Sequence, residues 1–325
     1  MAQSPTSGYG SYVNYGFETT FGTGVVCGRT FGHGPKITAS MKNNMERIWG
    51  LGARNATVNV AKKFEASLSV EFVLSHASFF RAVLGEVTDA DIGGGLYTHT
   101  YEETDTIPSI TVETGTELGT NDEVSTFKGC KINTITVTAA VGEVVKVRAE
   151  LLSQTMTLAT TPYAGQVVAT EDPFVFSQGT LQLPSGATLA NVQSIELTFN
   201  NSLELLWGLG SRIATASIEK MREYNFRCTM AFAQVTDLMT KFLGASGNPL
   251  AGTPAETATM ILTFTNGGAT TALRTLAFNL ASVSLNADTL PKDVNEVIKE
   301  DVEGWARTGT SIVWTNATAS DDDLP

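Results

Sequence analysis

Trp49-Gly50-Leu51-Gly52-Ala53-Arg54-Asn55-Ala56-Thr57 returns 158 residues later as Trp207-Gly208-Leu209-Gly210-Ser211-Arg212-Ile213-Ala214-Thr215, with seven of the nine positions identical. Tryptophan occurs only four times in the 325-residue chain, so coincidence is a poor explanation for the match. Internal repetition has to be established first, because it decides how the rest of a sequence is read. Two copies are too few for a self-stacking solenoid, which needs about three or more repeats. They suit a protein that places two equivalent wedges in one ring.

At the same offset Ile37 meets Ile195, Asn43 meets Asn201, Glu46 meets Glu204 and Lys62 meets Lys220. Leu68, Val70, Phe72 and Leu74 line up with Phe226, Cys228, Met230 and Phe232, apolar at every second position in both copies. A period of two predicts a strand with one buried face. After one extra residue in the second copy, Ala77–Gly85 meets Val235–Gly244, where apolar spacing of i, i+3, i+4 and a closing glycine predict a short helix. Further on, Ile135, Val137 and Ala139 alternate with Thr134, Thr136 and Thr138. Past Gly142, Val145, Val147, Ala149 and Leu151 alternate with Lys146, Arg148 and Glu150, giving two strands joined by a short turn. Val283 and Leu285, and Ile312 to Trp314, predict strands near the end of the second copy. The expected fold is mainly β, a β-sandwich or partial barrel with one short helix per domain, made twice in tandem. The expected boundaries are 1–165, with an N-terminal arm, and 171–325, with an acidic C-terminal tail. The linker-like residues Thr160–Gly165 and Glu171-Asp172-Pro173 lie between them.

Charged residues make up 17% of the chain and hydrophobic ones 42%, a composition of ordered protein. Nothing approaches the ~18 consecutive apolar residues of a membrane helix. Met1-Ala2-Gln3-Ser4-Pro5 carries neither a basic region nor an apolar core, so no leader is expected. The chain is then expected to remain in the cytoplasm that makes it, or to leave by a route without a leader. Cys27, Cys130 and Cys228 form no disulfide framework and no metal spacing; they read as buried small hydrophobes or as inter-subunit disulfides. With 21 basic against 33 acidic residues, a net charge of −12 and no basic run beyond Lys62-Lys63, tight nucleic-acid binding is disfavoured. The acidity fits either a surface that DNA slides past without adsorbing or plain solubility.

Catalytic chemistry is hard to assemble from these residues. His33 lies in a turn-rich loop, His76 precedes the first helix, and His99 sits in an apparent strand; no pair has metal-ligand spacing. The glycine run Gly22–Gly28 has the wrong spacing for a dinucleotide loop and lacks a flanking strand and helix. There is no nucleophile elbow and no P-loop. Asp321-Asp322-Asp323 reads as a solvated, disordered end, since like charges without fixed geometry repel one another. No enzyme, no cofactor and no metal are expected.

The repeated segment is the candidate for function. Met41–Gly52 and Phe199–Gly210 join alternating strands through glycine-punctuated stretches that each carry a tryptophan. Glycines let backbone approach closely while the aromatic offers a large contact area. Trp49, Leu51 and Arg54, with Trp207, Leu209 and Arg212, are therefore predicted inter-subunit contacts. The competing reading packs each tryptophan on its own core and leaves each arginine as an ordinary exposed cation.

The arm Tyr12-Val13-Asn14-Tyr15-Gly16-Phe17-Glu18-Thr19-Thr20-Phe21-Gly22-Thr23 resembles the tail tube proteins of long-tailed bacterial and archaeal viruses, in particular the two-domain type. So do the strand, loop, strand and helix ending in Leu84-Gly85, and the opening of the second half, Pro173–Gly179 with Phe199-Asn200-Asn201 and Arg212. The resemblance implies a sandwich whose strands close with those of neighbours into an inner barrel, and rings that stack as a conduit for genome DNA ejection. Single-domain members form hexameric rings, so a duplicated member implies a trimer with pseudo-sixfold symmetry; stacking that does not close gives a filament. Thr134, Thr136, Thr138 and Lys146, Arg148, Glu150 are candidates for polar lumen lining. The implied partners are the chain itself and other tail proteins: a sheath where the tail is contractile, a tape measure, a terminator and a baseplate. DNA passes without specific binding, no membrane is involved, and the implied location is the virion tail, assembled in the host cytoplasm. Two alternatives remain beside this reading: the inner tube or hub of a contractile injection device, and a surface carbohydrate-binding or adhesive β-sandwich.

Overall fold

The computed structural model describes residues 10–116, 122–161, 167–183, 186–189, 191–231, 242–243, 258–267, 273–289 and 298–323. The first half runs β1 (Ser11–Phe17), β2 (Arg29–Thr30), β3 (His33–Lys42), β4 (Met45–Trp49), β5 (Ala56–Ala61) and β6 (Glu65–Val73). A 3-10 turn (Ser78–Phe80) then leads into helix α1 (Arg81–Leu84). It is followed by β7 (Gly85–Gly93), β8 (Leu96–Glu103), β9 (Ile110–Thr116), β10 (Glu123–Ala140), β11 (Lys146–Ser153) and β12 (Thr155–Ala159). The second half runs β13 (Gly179–Gln182), β14 (Val192–Asn200), β15 (Glu204–Leu206), β16 (Ala216–Ile218) and β17 (Glu223–Ala231). It continues with β18 (Ala258–Asn266), β19 (Arg274–Thr289), β20 (Lys299–Ala306) and β21 (Ser311–Asn316). The helix expected over Val235–Gly244 lies outside the described residues, apart from Phe242 and Leu243, which are helical.

The fold is mainly β and sandwich-like. One layer is an antiparallel sheet in the order β3-β6-β11-β10-β14-β17-β20-β19. The other layer holds β2-β1-β9-β10-β12 in the first half and β13-β18-β19-β21-β8-β7 at the second. Among the described residues the pairings branch but never close on themselves, so these strands form no closed barrel. Strands β10 and β19 belong to both layers, because each bends as it passes from one to the other. In β10 the register slips between Phe127 and Cys130 and again between Ile132 and Thr134; in β19 it slips between Leu285 and Ala287. A bulge of this kind turns a strand and re-aims its side chains.

The alternation visible in the sequence becomes burial. Ala66, Leu68, Val70 and Phe72 of β6, and Phe226, Cys228 and Met230 of β17, point into the core, their polar neighbours outward. Positions 158 residues apart share one register: Ile37 lies opposite Val70 as Ile195 lies opposite Cys228. Asn44 and Ser202, again 158 apart, both adopt a left-handed turn, with φ of 45° and 46°. One core joins the halves, with Phe80 meeting Phe278 edge-on at 5.4 Å and Phe199 stacking near the same ring. Gly85, after α1, has φ of 124°, which a side chain would strain, as expected of a helix-ending glycine.

All three cysteines are free and buried, and burial pushes the Cys130 and Cys228 thiols up to about 12. The acidic end corrects the expectation of a solvated, disordered tail. Asp321 is buried: Tyr101 donates to its carboxylate at 2.7 Å, Arg81 lies at 3.4 Å, and Arg29 donates to its carbonyl at 3.0 Å. Its own N–H donates to Asp89, whose other oxygen meets His99 at 2.7 Å. Cations from the first half compensate the charge, which is why the run does not splay apart. Among the described residues no helix is long and apolar enough to cross a membrane.

Candidate subunit interface

The two halves meet edge to edge. Residues 134–140 of β10 pair with 194–200 of β14 in seven antiparallel steps, from Thr134 opposite Asn200 to Ala140 opposite Ser194. The bulge residue Asn133 clasps the turn that follows β14. Its carbonyl accepts from Asn201 N–H at 2.8 Å, and its side-chain oxygen accepts from Leu203 N–H at 2.8 Å. Asn201 in turn donates through Nδ2 to Val83 and Ile132 carbonyls, while its buried Oδ1 has no partner among the described residues. Lys131 and Glu219 add a largely buried ion pair at 2.6 Å across the same joint.

The repeated segments fold as two matching hairpins, β4–β5 and β15–β16. Their details coincide at the 158-residue offset. Thr57 Oγ1 donates to Ile48 O at 3.1 Å and Thr215 Oγ1 to Leu206 O at 3.2 Å. Ala53 N–H reaches Gly50 O and Ser211 N–H reaches Gly208 O, both at 3.2 Å. Lys62 pairs with Glu46 at 2.5 Å, and Lys220 with Glu204. Gly52 and Gly210 turn the tips at φ of 80° and 85°, a conformation that costs glycine little.

The surroundings of the two hairpins differ. The second leans on the first half: Trp207 is partly buried, its Nε1 donates to Phe64 O at 3.3 Å, and Lys63 Nζ sits 4.4 Å over its ring. Arg212 donates from Nε to Lys62 O at 2.9 Å and from Nη2 to Asn43 Oδ1 at 3.0 Å, while its carbonyl accepts from Phe64 N–H at 2.7 Å. Among the described residues the first hairpin has no such seat: Trp49 is 61% exposed and Arg54 is exposed. Leu51 and Leu209, at the two tips, are fully exposed. Trp207 and Arg212 thus bind the other half of their own chain rather than their own core or a carboxylate. Of the six expected contacts, the structure brings these two into a joint and leaves four at the surface.

The same contrast marks the sheet edges. Ile195, Leu197 and Phe199 of β14 are 3% exposed or less, because the first half covers them. Their counterparts on β3, Ile37, Ala39 and Met41, are half-buried, exposed and exposed. Among the described residues β3 has no partner on its outer side, and neither has the Ser284–Thr289 stretch of β19 across from β20. Sequence reasoning paired Asn43 with Asn201 but attached no role to them, and it missed Asn133, Lys131 and Glu219. A lone asparagine after an alternating strand was the available signal. The outward face of the long sheet is polar, with Thr136 facing Thr198, and Arg148 tied to Glu71 at 3.3 Å and to Glu150 at 2.7 Å.

A joint made of backbone edges, a clasping asparagine and an interlocking hairpin defines a structural β-protein that joins like to like. Residues 8–306 match the family described as phage tail tube protein. The chain belongs to that family, and so is a structural subunit of the virion tail. No curated protein matches it.

Proposed function

We propose that the chain is a tandem duplicate of a tail tube domain, 1–165 and 171–325, and that three copies form a pseudo-hexameric ring. Such rings stack into the tube through which genome DNA leaves the capsid. The observation that carries this reading is the complementarity of the free edges. The joint inside the chain uses the last strand that the first half gives to the long sheet (β10) and the outermost strand that the second half gives to it (β14). The strands left open at the two ends, β19 and β3, are the same pair one repeat further on. A second copy adding β3 to β19 extends the sheet with the geometry already used once, and cyclic closure removes every open edge of this sheet.

Apolar residues of β3 that stand exposed in one chain then become buried, as their counterparts on β14 are. The tips Leu51 and Leu209, with Trp49 and Arg54, are assigned to contacts between copies. The polar sheet face, where cations and carboxylates neutralise one another, is assigned to the lumen. A conduit needs this balance, since a cationic wall would hold the phosphates. Assembly takes place in the host cytoplasm, and the other tail proteins dock on the finished tube.

Electron microscopy of the purified protein tests the proposal. Rings or tubes of constant width with an open axis and three copies per ring are expected. A protein that stays monomeric at concentrations where tubes should form, or a filament without a central passage, refutes it.

A further inference from the structure

The joint between the halves contains more than a strand pair, and its second part is also repeated. Strand β19 carries its bulge at Asn286, between Leu285 and Ala287, as β10 carries its bulge at Asn133, between Ile132 and Thr134. Against β20 and β11 the two bulges occupy matching places: Leu285 lies opposite Gly304 and Ile132 opposite Leu151, each on the strand two along from the sheet's next first strand. Asn133 holds the turn Asn201-Ser202-Leu203. Asn286 is exposed and faces nothing of that kind among the described residues. The turn that corresponds to 201–203 is Asn43-Asn44-Met45, where Asn44 has the same left-handed φ as Ser202, so the N–H groups of 43 and 45 are presented as those of 201 and 203 are. Met45 is 57% exposed.

A second, independent observation lies at the other side of the joint. Arg212 fills the side-chain oxygen of Asn43. The equivalent oxygen, on Asn201, is buried and without a partner among the described residues. The equivalent arginine is Arg54, exposed on the hairpin that has no seat. A buried acceptor left unpaired is costly, and native proteins rarely tolerate it.

We propose that Asn286 and Asn201 form the register lock between copies of this chain. The Asn286 carbonyl and Oδ1 accept from Asn43 and Met45 N–H of a second copy, and Arg54 of that copy donates to Asn201 Oδ1 and to the Lys220 carbonyl. Trp49 of the same copy lies against residues 220–222, as Trp207 lies against 62–64. The lock sets β3 against β19 so that Lys42 falls opposite Ala287 and Ser40 opposite Thr289. The pairing of β3 with β6 fixes which face of β3 points to the core, so a slip by one residue would set that inner face beside the outer face of β19, and a fixed register matters for closure. This inference rests on the tube reading and adds to it which atoms choose the neighbour's position.

Disulfide trapping tests it, with the three native thiols buried and out of the way. Assembled Asn286→Cys/Met45→Cys protein, oxidised and run without reductant, should give covalent multimers that end at the trimer. The mismatched pair Asn286→Cys/Val58→Cys should stay monomeric. In parallel, Asn286→Ala should raise the protein concentration needed for half-assembly roughly tenfold with no change in the monomer's melting temperature. Asn133→Ala should lower that melting temperature instead. Wild-type tubes whose Asn286→Cys/Met45→Cys form yields no cross-link, or whose Asn286→Ala form assembles at the wild-type concentration, would overturn the lock while leaving the tube intact. Absence of any wild-type assembly would instead overturn the tube reading itself.

Discussion

Four donors converge on the Glu18 carboxylate: Gly22 N–H and Gly129 N–H at 2.8 Å, Ser109 Oγ at 2.7 Å and Thr111 Oγ1 at 2.8 Å. Glu18 follows β1, so one side chain ties the start of the chain to β9 and β10. Charge-assisted hydrogen bonds are about twice as strong as neutral ones, and removing the acceptor strands buried donors. Glu18→Ala should cost about 3–5 kcal/mol of unfolding free energy by denaturant titration, while Glu18→Gln should recover part of it. His76 gives the pH dependence at this scale. Full burial moves it from its ordinary 6.5 down to about 4. Between those values the unfolded chain binds a proton that the folded chain refuses, so stability rises with pH in that window and falls on acidification through it. The loss should reach about 3 kcal/mol below pH 4. His76→Asn, which keeps an acceptor near Ser78, should flatten the slope of melting temperature against pH between 4 and 6.5. An unchanged slope would show that another group titrates there. The histidine and the arm were visible in the sequence; that both are buried was not, because burial is set by strands far away along the chain.

At the scale of elements, the two hairpins give a controlled comparison, since one sequence motif sits in two environments. Trp207→Ala removes a hydrogen bond, a cation–π contact and half-buried ring area. It should lower the single chain's stability by about 2 kcal/mol. Trp49→Ala alters a mostly exposed ring and should leave the monomer within about 0.5 kcal/mol of wild type, while weakening assembly. Equal losses of monomer stability would place both rings in a core role. The edge strand makes a sharper case. Odd-numbered residues of β14 direct their N–H toward β10, as Asn201 does, so Ala39 of β3 directs its own toward the open edge. Ala39→Pro should therefore abolish ring formation in sedimentation without unfolding the chain, because the lost N–H has no partner in the monomer. Alternation made β6, β11 and the far part of β10 legible from the order of residues alone. It failed for residues 123–132, where the bulges around Phe127–Cys130 and Asn133 break the period of two, and β10 therefore proved to be 18 residues long.

For the whole molecule the governing quantity is charge. A chain at −12 whose sheet face pairs its own cations offers few free sites for phosphate. Assembled tubes should leave linear double-stranded DNA unretarded in a gel even at low salt, and the smallest stable ring should have three times the mass of the 34.5 kDa chain by light scattering. Retardation that weakens steeply as salt is raised would instead reveal an adsorbing surface. The acidic end has an unexpected share in this scale. Asp321 draws Arg29, Arg81 and Tyr101 of the first half onto the last residues of the second.

Residue order alone showed that one pattern recurs, that its strands have one wet and one dry face, and that the repeated hairpins share a turn chemistry. Those properties follow from local periodicity and from residues able to adopt a particular φ, so they survive without knowledge of the fold. It took the folded chain to establish that the halves join through β10 and β14, and that among the described residues Trp207 is seated while Trp49 is not and β3 and the end of β19 have no outer partner. Pairing of strands is a long-range choice, fixed by which edges meet once the core has closed, and two closely similar motifs acquire different neighbours when one of them stands at the end of the sheet.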